Sequence, residues 1–571
     1  MSDQRARGDG APQSASGGRH PTGGDALAAQ GTAPGRPLGK VVAGSLSDGL
    51  EARLDVGTSV EDMAVGRYVV IAGEKRRFFG MITDVRLEAT NAQFALSPPD
   101  VSDPFIAEVI AGTSTFGTLE LMPMLTIEEG SRSPQPVKTV PTHFSVVREA
   151  NEEDVSTVFG REDGDHFYVG QPLEMHTRIC LDLRRLVERS SGIFGKSGTG
   201  KTFLTRLLLV GIVQKDVAVN LVFDMHNEYG WVGTSEAHGQ GVKGLQALFR
   251  SKVAIFTLDE KSSRARGVSP DYVVEIGYDQ IEPDDFALLR EALSMTDAQI
   301  ESIYRLARVF GERQWLARFL DLATEERERL AAEQGLNAST LQVLHRKLEN
   351  RLTRLDFIKP DVLDNSVQRI LECLRQGIHV VLEFGRHRSL DAYILVANIL
   401  TRRIHERYVE AMEQAMGERA AKPRPLVITI EEAHKFLNPK VADLTIFGTI
   451  AREMRKYNVT LLVVDQRPSN IADEIMSQIG TRITCLLDDE KDTAAVLSGI
   501  PGGQALRSVL ARLESKQQAL ILGHAGPMPV VIRTREYGSP ESYRELTAAD
   551  VPEPSSPSQK PTIKSLEDLF R

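Results

Sequence analysis

Apolar positions along this chain change rhythm several times, and each change predicts a different kind of structure. Residues 1–36 are rich in Gly, Ala, Ser and Pro and carry almost no large apolar side chains. Such a segment cannot bury enough surface to offset the entropy of ordering, so it is expected to be a disordered tail. Over 37–155 short apolar stretches follow one another with turn residues between them: GKVVAGSL, YVVIAG, RRFFGMITDVRL and AQFALS. Their length and their Val, Ile and Phe content predict strands. No helical period interrupts them, so a small N-terminal β-barrel or sandwich is expected.

From 156 the pattern alternates strand and helix. GIFG is followed by KTFLTRLLLVGIVQ, whose apolar residues recur at helical spacing. NLVFDM, KVAIFTL, HVVLEFG, PLVITIEEAH and TLLVVDQRP contain continuous apolar runs. Strands that are apolar on both faces belong in a parallel sheet covered by helices, so the fold class is α/β. The alternation breaks at 283–375, where DDFALLREALSM, AQIESIYRLARVF and LQVLHRKLENRLTRL are all helical in period. This segment is expected to be a helical insertion dividing an ATPase-like α/β core into 156–282 and 376–545. The tail, 546–571, runs through VPEPSSPSQKPT as an extended linker to SLEDLF, and no internal repeat is found.

Bulk properties narrow the classes. At 571 residues the chain exceeds one hydrophobic core and predicts two or three domains. It has no apolar run near twenty residues and no apolar leader at its N-terminus, so neither a membrane span nor a secretory signal is expected. Its three cysteines, 180, 373 and 485, form no CxxC pair, which argues against a disulfide framework or structural zinc and for a reducing, cytoplasmic setting. A net charge of −10 neither indicates nor excludes nucleic acid as a partner, because local potential governs association more than the total.

The chemistry is concentrated in one short stretch. Gly195, Lys196, Ser197, Gly198, Thr199, Gly200, Lys201 and Thr202 match G-x-x-x-x-G-K-[ST] in full, and Phe203 follows on the opening helix. Glycines let the backbone curl so that successive N–H groups face phosphate oxygens, and the helix N-terminus adds its dipole. Lys201 would reach the β- and γ-phosphates of ATP, and the Thr202 hydroxyl would coordinate Mg²⁺.

Such a loop needs a carboxylate at another strand's end. Glu431 and Glu432 follow the strand that begins at Leu426: Glu431 for Mg²⁺, reached through water in view of its extra methylene relative to the Asp more usual there, and Glu432 as general base toward the attacking water. The alternative is two favourable charges at a helix N-terminus. Gln466, past the next strand, can sense the γ-phosphate, or it is a turn residue ahead of Pro468. The helix IAREMRKYN carries Arg452, Arg455 and Lys456, one of whose arginines can serve a neighbouring subunit as a finger; otherwise they are a solvated face. In DMHNEYG, Asp224, His226 and Glu228 favour a supporting role beside the phosphate loop over a zinc site.

The ordered set GKSGTGKT, DMHNEYG, ITIEEAHKFLNP, IAREMRKYNV and VVDQRPSNI resembles the HerA family of hexameric ATPases, grouped with FtsK-like DNA pumps. The resemblance implies a RecA-like ATPase core behind a HAS-type barrel, ATP and Mg²⁺ as cofactors, and a homo-hexamer translocating on double-stranded DNA. It implies a partner nuclease of the NurA kind, or in some bacterial relatives an antiphage effector. It assigns Lys201 and Thr202 to nucleotide and metal, Glu431 and Glu432 to the acidic motif, Gln466 to the sensor and Arg455 to the finger, with Arg452 one turn earlier as the alternative. KSSRARG (261–267) and GRHRS (385–389) are candidate DNA-facing loops, or ordinary surface loops. A protein-moving secretion ATPase and a non-motor ATPase scaffold that organises an effector remain as alternative functions.

Overall fold

The computed structural model describes residues 35–547, apart from 92, 129–133, 235–240, 292, 363–364, 388, 418–420, 454–455, 501–502 and 515. The expected tails at 1–34 and 548–571, with SLEDLF, lie outside the described residues. Gly35 and Arg36, read with the N-terminal tail, already lie against the first domain, where the Arg36 carbonyl accepts from the Glu149 N–H at 2.9 Å.

The N-terminal sheet closes on itself. Its order runs Gly49–Leu54, Pro37–Ser45, Val146–Glu149, Tyr68–Ala72, Arg76–Ala89 and Thr115–Glu128. Gly49–Leu54 also pairs with Thr115–Glu128, which shuts six strands into a barrel. Closure leaves no free edge among those six. The short strand Gln135–Pro136 hangs on the outside of Thr115–Glu128. Strand alternation explains why YVVI is buried on both sides: Val69 and Ile71 fill the barrel, whereas Tyr68 and Val70 join the core of the ATPase.

The expectation of uninterrupted strands over 37–155 is corrected in two places. AQFALS contains a single helical turn, Gln93–Leu96, and a helix follows at Pro104–Thr113. The Asp103 carboxylate caps the second of these through the Phe105 N–H and Pro104 occupies its first turn, while the Asn91 side chain accepts from the Gln93 N–H at 2.9 Å ahead of the single turn. A third helix, Glu152–Phe159, crosses the expected boundary at 155.

The second sheet has twelve strands. Eight are parallel, in the order Tyr272–Val273, Val253–Thr257, His379–Glu383, Val219–Asp224, Leu426–Glu431, Val459–Asp465, Ser191–Phe194 and Thr481–Thr484. Four antiparallel strands extend it: Gln518–Gly523, Val530–Thr534, His166–Gln171 and Ile179–Asp182. The parallel strands that were legible as apolar runs are buried residue by residue, as a sheet covered on both faces requires. Between 283 and 375 every described element is a helix apart from the two-residue strand Ile358–Lys359, and Trp315, Phe319, Leu341 and Leu344 are buried there. The helix Pro540–Thr547 carries Leu546 into the core, one residue past the expected end of the α/β part. No helix among the described residues is long and apolar enough to cross a membrane.

Candidate active site

The phosphate loop is fixed by the strands on either side of it. Ser191–Phe194 runs between Val459–Asp465 and Thr481–Thr484, with Phe194 level with both Asp465 and Thr484. From there the Gly195 N–H donates to the Asp465 carbonyl at 3.3 Å and the Lys196 N–H to the Leu486 carbonyl at 3.1 Å. A Cβ on Gly195 would come within 2.8 Å of the Cys485 Cβ, so a larger residue cannot sit there without displacing that strand end. Gly200 has φ 98°, a left-handed turn from which the helix Lys201–Lys215 starts.

Inside the loop, Lys201 Nζ donates to the Lys196 carbonyl at 2.9 Å and Thr199 Oγ1 to the same carbonyl at 2.8 Å. Burial pushes the Lys201 ammonium below its ordinary pKa, against the pull of nearby Glu432, Asp465 and Glu431. Lys196 reaches out to Asp488 at 2.8 Å, while Ser197 and Gly198 are exposed. Thr202 and Phe203 lie half-buried in the first turn, and the Phe203 ring sits 6.5 Å from that of Tyr537.

The acidic residues end Leu426–Glu431, one strand removed from the phosphate loop across Val459–Asp465. Two tyrosines grip Glu431. The Tyr229 hydroxyl donates to Glu431 Oε1 at 2.7 Å, and the Tyr393 hydroxyl accepts from the Glu431 N–H at 3.0 Å. Glu431 Oε2 is buried and has no hydrogen-bond partner among the described residues. Burial raises the Glu431 pKa to about 7; Glu228 and Glu432 raise it too, while the Tyr229 hydroxyl and Lys201 oppose the shift. A Mg²⁺ ion takes hard oxygen donors, and the orphaned Oε2 together with the Thr202 hydroxyl is a donor set of that kind.

Glu432 differs sharply from its neighbour. Its φ is 51°, a left-handed conformation that costs a non-glycine residue about 1–2 kcal/mol. Its carboxylate is about one-third exposed and Oε1 accepts from Gln466 Nε2 at 3.1 Å. Strain held at a residue facing a solvent-accessible strand end is a mark of a functional position. Next to it, Asp465 is buried and accepts from the N–H groups of His434 (2.6 Å) and Arg467 (2.7 Å), with His434 Nδ1 3.0 Å away.

The predicted arginines fare unequally. Arg452 is bound within its own chain, to Asp443 and to Glu474 at 3.1 Å. Arg455 lies outside the described residues. Of the two basic candidates for DNA, KSSRARG is corrected as a loop, being largely the helix Glu260–Ala265 with Arg266 paired to buried Glu383 at 2.6 Å, whereas Gly385 and Arg386 lie in a turn, with Arg386 paired to Asp259 at 2.7 Å.

Asp224 holds the turn that follows its own strand. Its buried carboxylate accepts from the N–H groups of Glu228 (2.8 Å), Tyr229 (2.7 Å) and Gly230 (3.3 Å). Burial and the nearby Glu383 and Glu431 raise its pKa to about 7 against those hydrogen bonds. No His/Cys/Asp/Glu group suited to a metal occurs among the described residues. Sequence reasoning passed over Tyr229 and Tyr393; the only available signal for the first was its place in DMHNEYG.

The raised pKa of Glu431 has a measurable consequence. Between the ordinary value of 4.5 and about 7 the folded chain holds a proton there that the unfolded chain has lost. Stability therefore falls as pH rises through that window, by on the order of 3 kcal/mol at full ionisation. Glu431→Gln removes this dependence and keeps an acceptor for Tyr229. In EDTA without nucleotide, its melting temperature relative to wild type is expected to rise by a few degrees between pH 5 and pH 8. A difference that stays constant with pH would refute the buried-carboxyl account.

Comparison with known proteins follows the same division of the chain. Residues 167–404 match the family model described as the central domain of helicase HerA, and residues 38–127 match that of the HAS barrel domain. The DNA double-strand break repair helicase HerA of Pyrococcus furiosus is 23% identical over 391 residues, covering 63% of this chain and 68% of that protein. The protein of the same name from Sulfolobus acidocaldarius is 26% identical over 403 residues, covering 70% and 74%. Among solved structures, VirB4 of Thermoanaerobacter pseudethanolicus is similar over 67% of this chain and all of that one, at 14% identity and a TM-score of 0.44. The bacterial conjugative coupling protein TrwB covers 68% of this chain and 93% of its own, at 12% identity and a TM-score of 0.43.

Proposed function

Since the chain belongs to the HerA family and is an ATP-hydrolysing enzyme, we propose that it is a ring-forming motor, six copies to a ring, that moves along double-stranded DNA. The observation that carries this reading is the similarity to DNA double-strand break repair helicases over about two-thirds of both chains, with the ATP-site groups gathered at neighbouring strand ends.

In this reading Lys201 leaves the Lys196 carbonyl for the β- and γ-phosphates, and the N–H groups of 195–202 cradle them. Thr202 and the free oxygen of Glu431 hold Mg²⁺, which when bound neutralises charge on the phosphate oxygens. Glu432 takes the proton of the attacking water, and the Gln466 amide orients that carboxylate and senses the γ-phosphate. Arg455 of an adjacent copy supplies positive charge to the leaving phosphates; Arg452, tied to Asp443 and Glu474, is the lesser candidate. DNA ends pass to a partner nuclease, and three buried free cysteines suit a reducing cytoplasm.

Steady-state ATPase activity with and without linear duplex DNA tests the proposal. Stimulation of several-fold is expected at low salt, and it should fall steeply as salt rises, because phosphate contacts release counterions. Equal rates with and without DNA at both salt concentrations would overturn the DNA motor and leave the ATPase standing.

A further inference from the structure

The hydrogen bond between Tyr229 and Glu431 joins residues 202 positions apart and is buried at both ends. A glutamate at this strand end carries one methylene more than the aspartate usual in the motif, and so one more rotatable bond between backbone and carboxylate. Something has to choose its direction. The Tyr393 hydroxyl fixes only the backbone, accepting from the Glu431 N–H at 3.0 Å and donating to its carbonyl at 3.3 Å. The carboxylate itself has one partner among the described residues, the Tyr229 hydroxyl at 2.7 Å, and its other oxygen has none there.

Tyr229 can choose that direction because its own loop is held from three sides. Asp224 accepts from three successive N–H groups, those of Glu228, Tyr229 and Gly230. The guanidinium of Arg206, buried in the phosphate-loop helix, donates to the Glu228 carbonyl at 3.1 and 2.8 Å. Asn227, at φ 58°, exchanges hydrogen bonds with Gly385, its Nδ2 donating to the carbonyl at 3.2 Å and its Oδ1 accepting from the N–H at 2.9 Å. The loop therefore connects the phosphate-loop helix, two strand ends and the acidic site through one hydroxyl.

We propose that Tyr229 is a positioning residue that aims the free oxygen of Glu431 at the metal of the nucleotide complex. The inference rests on the role given to Glu431 above. It assigns Tyr229 no contact with ATP, so affinity for nucleotide without metal should be untouched while the metal's contribution weakens.

Tyr229→Phe keeps the buried ring and removes the hydroxyl. Two readouts are taken on the full chain: binding of a fluorescent ADP analogue in EDTA and across a Mg²⁺ titration, and the Mg²⁺ concentration giving half-maximal ATPase. The expected result is affinity in EDTA within about twofold of wild type and both Mg²⁺ midpoints raised by about three- to tenfold. Glu431→Gln should raise them at least as far, and the double variant should add nothing, since both remove one arrangement. Asn227→Gly, which suits a positive φ and loosens the loop while leaving Tyr229 in place, should shift the midpoints by about two- to threefold in the same direction; it carries the test if Tyr229→Phe does not fold. Midpoints that move with Glu431→Gln and stay put with Tyr229→Phe and Asn227→Gly would overturn the positioning role alone. Midpoints unmoved even by Glu431→Gln would remove the metal role of Glu431 and the inference with it.

Discussion

Lys201→Ala is expected to abolish ATP turnover and to weaken nucleotide binding by about tenfold to a hundredfold, the equivalent of one to two charge-assisted hydrogen bonds. The ammonium is half-buried in the first turn of its helix and occupied with the Lys196 carbonyl at 2.9 Å, the interior of the loop that would receive the phosphates. Burial depresses its pKa, so the folded chain holds this charge against desolvation. Removing it should therefore leave the fold intact or slightly stabilised, unlike an ordinary loss of a buried partner. The measurement pairs an ATPase assay and nucleotide titration with a melting curve. Turnover near the wild-type rate in a protein that melts normally would remove the phosphate-loop assignment.

What was legible in the sequence was whatever is local. The loop 195–202 places its groups within eight residues, and a strand before it with a helix after it can be read from apolar period alone. The parallel strands were legible because burial on both faces leaves no polar alternation to blur them. The turn at Gln93–Leu96 was misread because one helical turn and one short strand present the same few apolar residues; Asn91, whose side chain accepts from the Gln93 N–H at 2.9 Å, was the better signal. The antiparallel extension after Thr481–Thr484 was not foreseen, since its strands come from both ends of the α/β part, His166–Gln171 and Ile179–Asp182 from one and Gln518–Gly523 and Val530–Thr534 from the other, and only the fold brings them side by side.

The site divides along the same line. Glu431, Glu432 and Gln466 could be named from their places after apolar runs. The grip of Tyr229 on Glu431 could not, because no spacing encodes a contact across 202 residues. The opposite environments of the two adjacent glutamates were equally hidden. Consecutive residues on an extended strand point to opposite faces. Both faces of this sheet are covered, so alternation alone would bury either residue; Glu432 lies one residue past the strand in a left-handed turn, which leaves Glu431 buried and Glu432 about one-third exposed. The sequence EE reads as one acidic patch; the structure makes it a buried, tyrosine-bound carboxyl beside a reachable one. Two titratable groups pushed into different environments are how one site separates metal holding from proton transfer.

That separation makes Glu432→Gln the more discriminating loss. It should bind ATP with nearly wild-type affinity and hydrolyse it about 10²- to 10⁴-fold more slowly, the range a positioned general base supplies. Glutamine is isosteric, keeps an oxygen to accept from Gln466 Nε2, and inherits the same φ of 51°, so strain and packing are unchanged and only the proton acceptor is gone. Glu431 is on the other side of the turn and keeps its hold on Tyr229, so the Mg²⁺ midpoint of nucleotide binding should not move. Single-turnover hydrolysis together with a Mg²⁺ titration of nucleotide binding therefore separates the two glutamates. A Glu432→Gln variant that hydrolyses ATP within about threefold of wild type would reassign the base, and the next candidate at hand is the His434–Asp465 pair, whose ring nitrogen lies 3.8 Å from Glu432 Oε2.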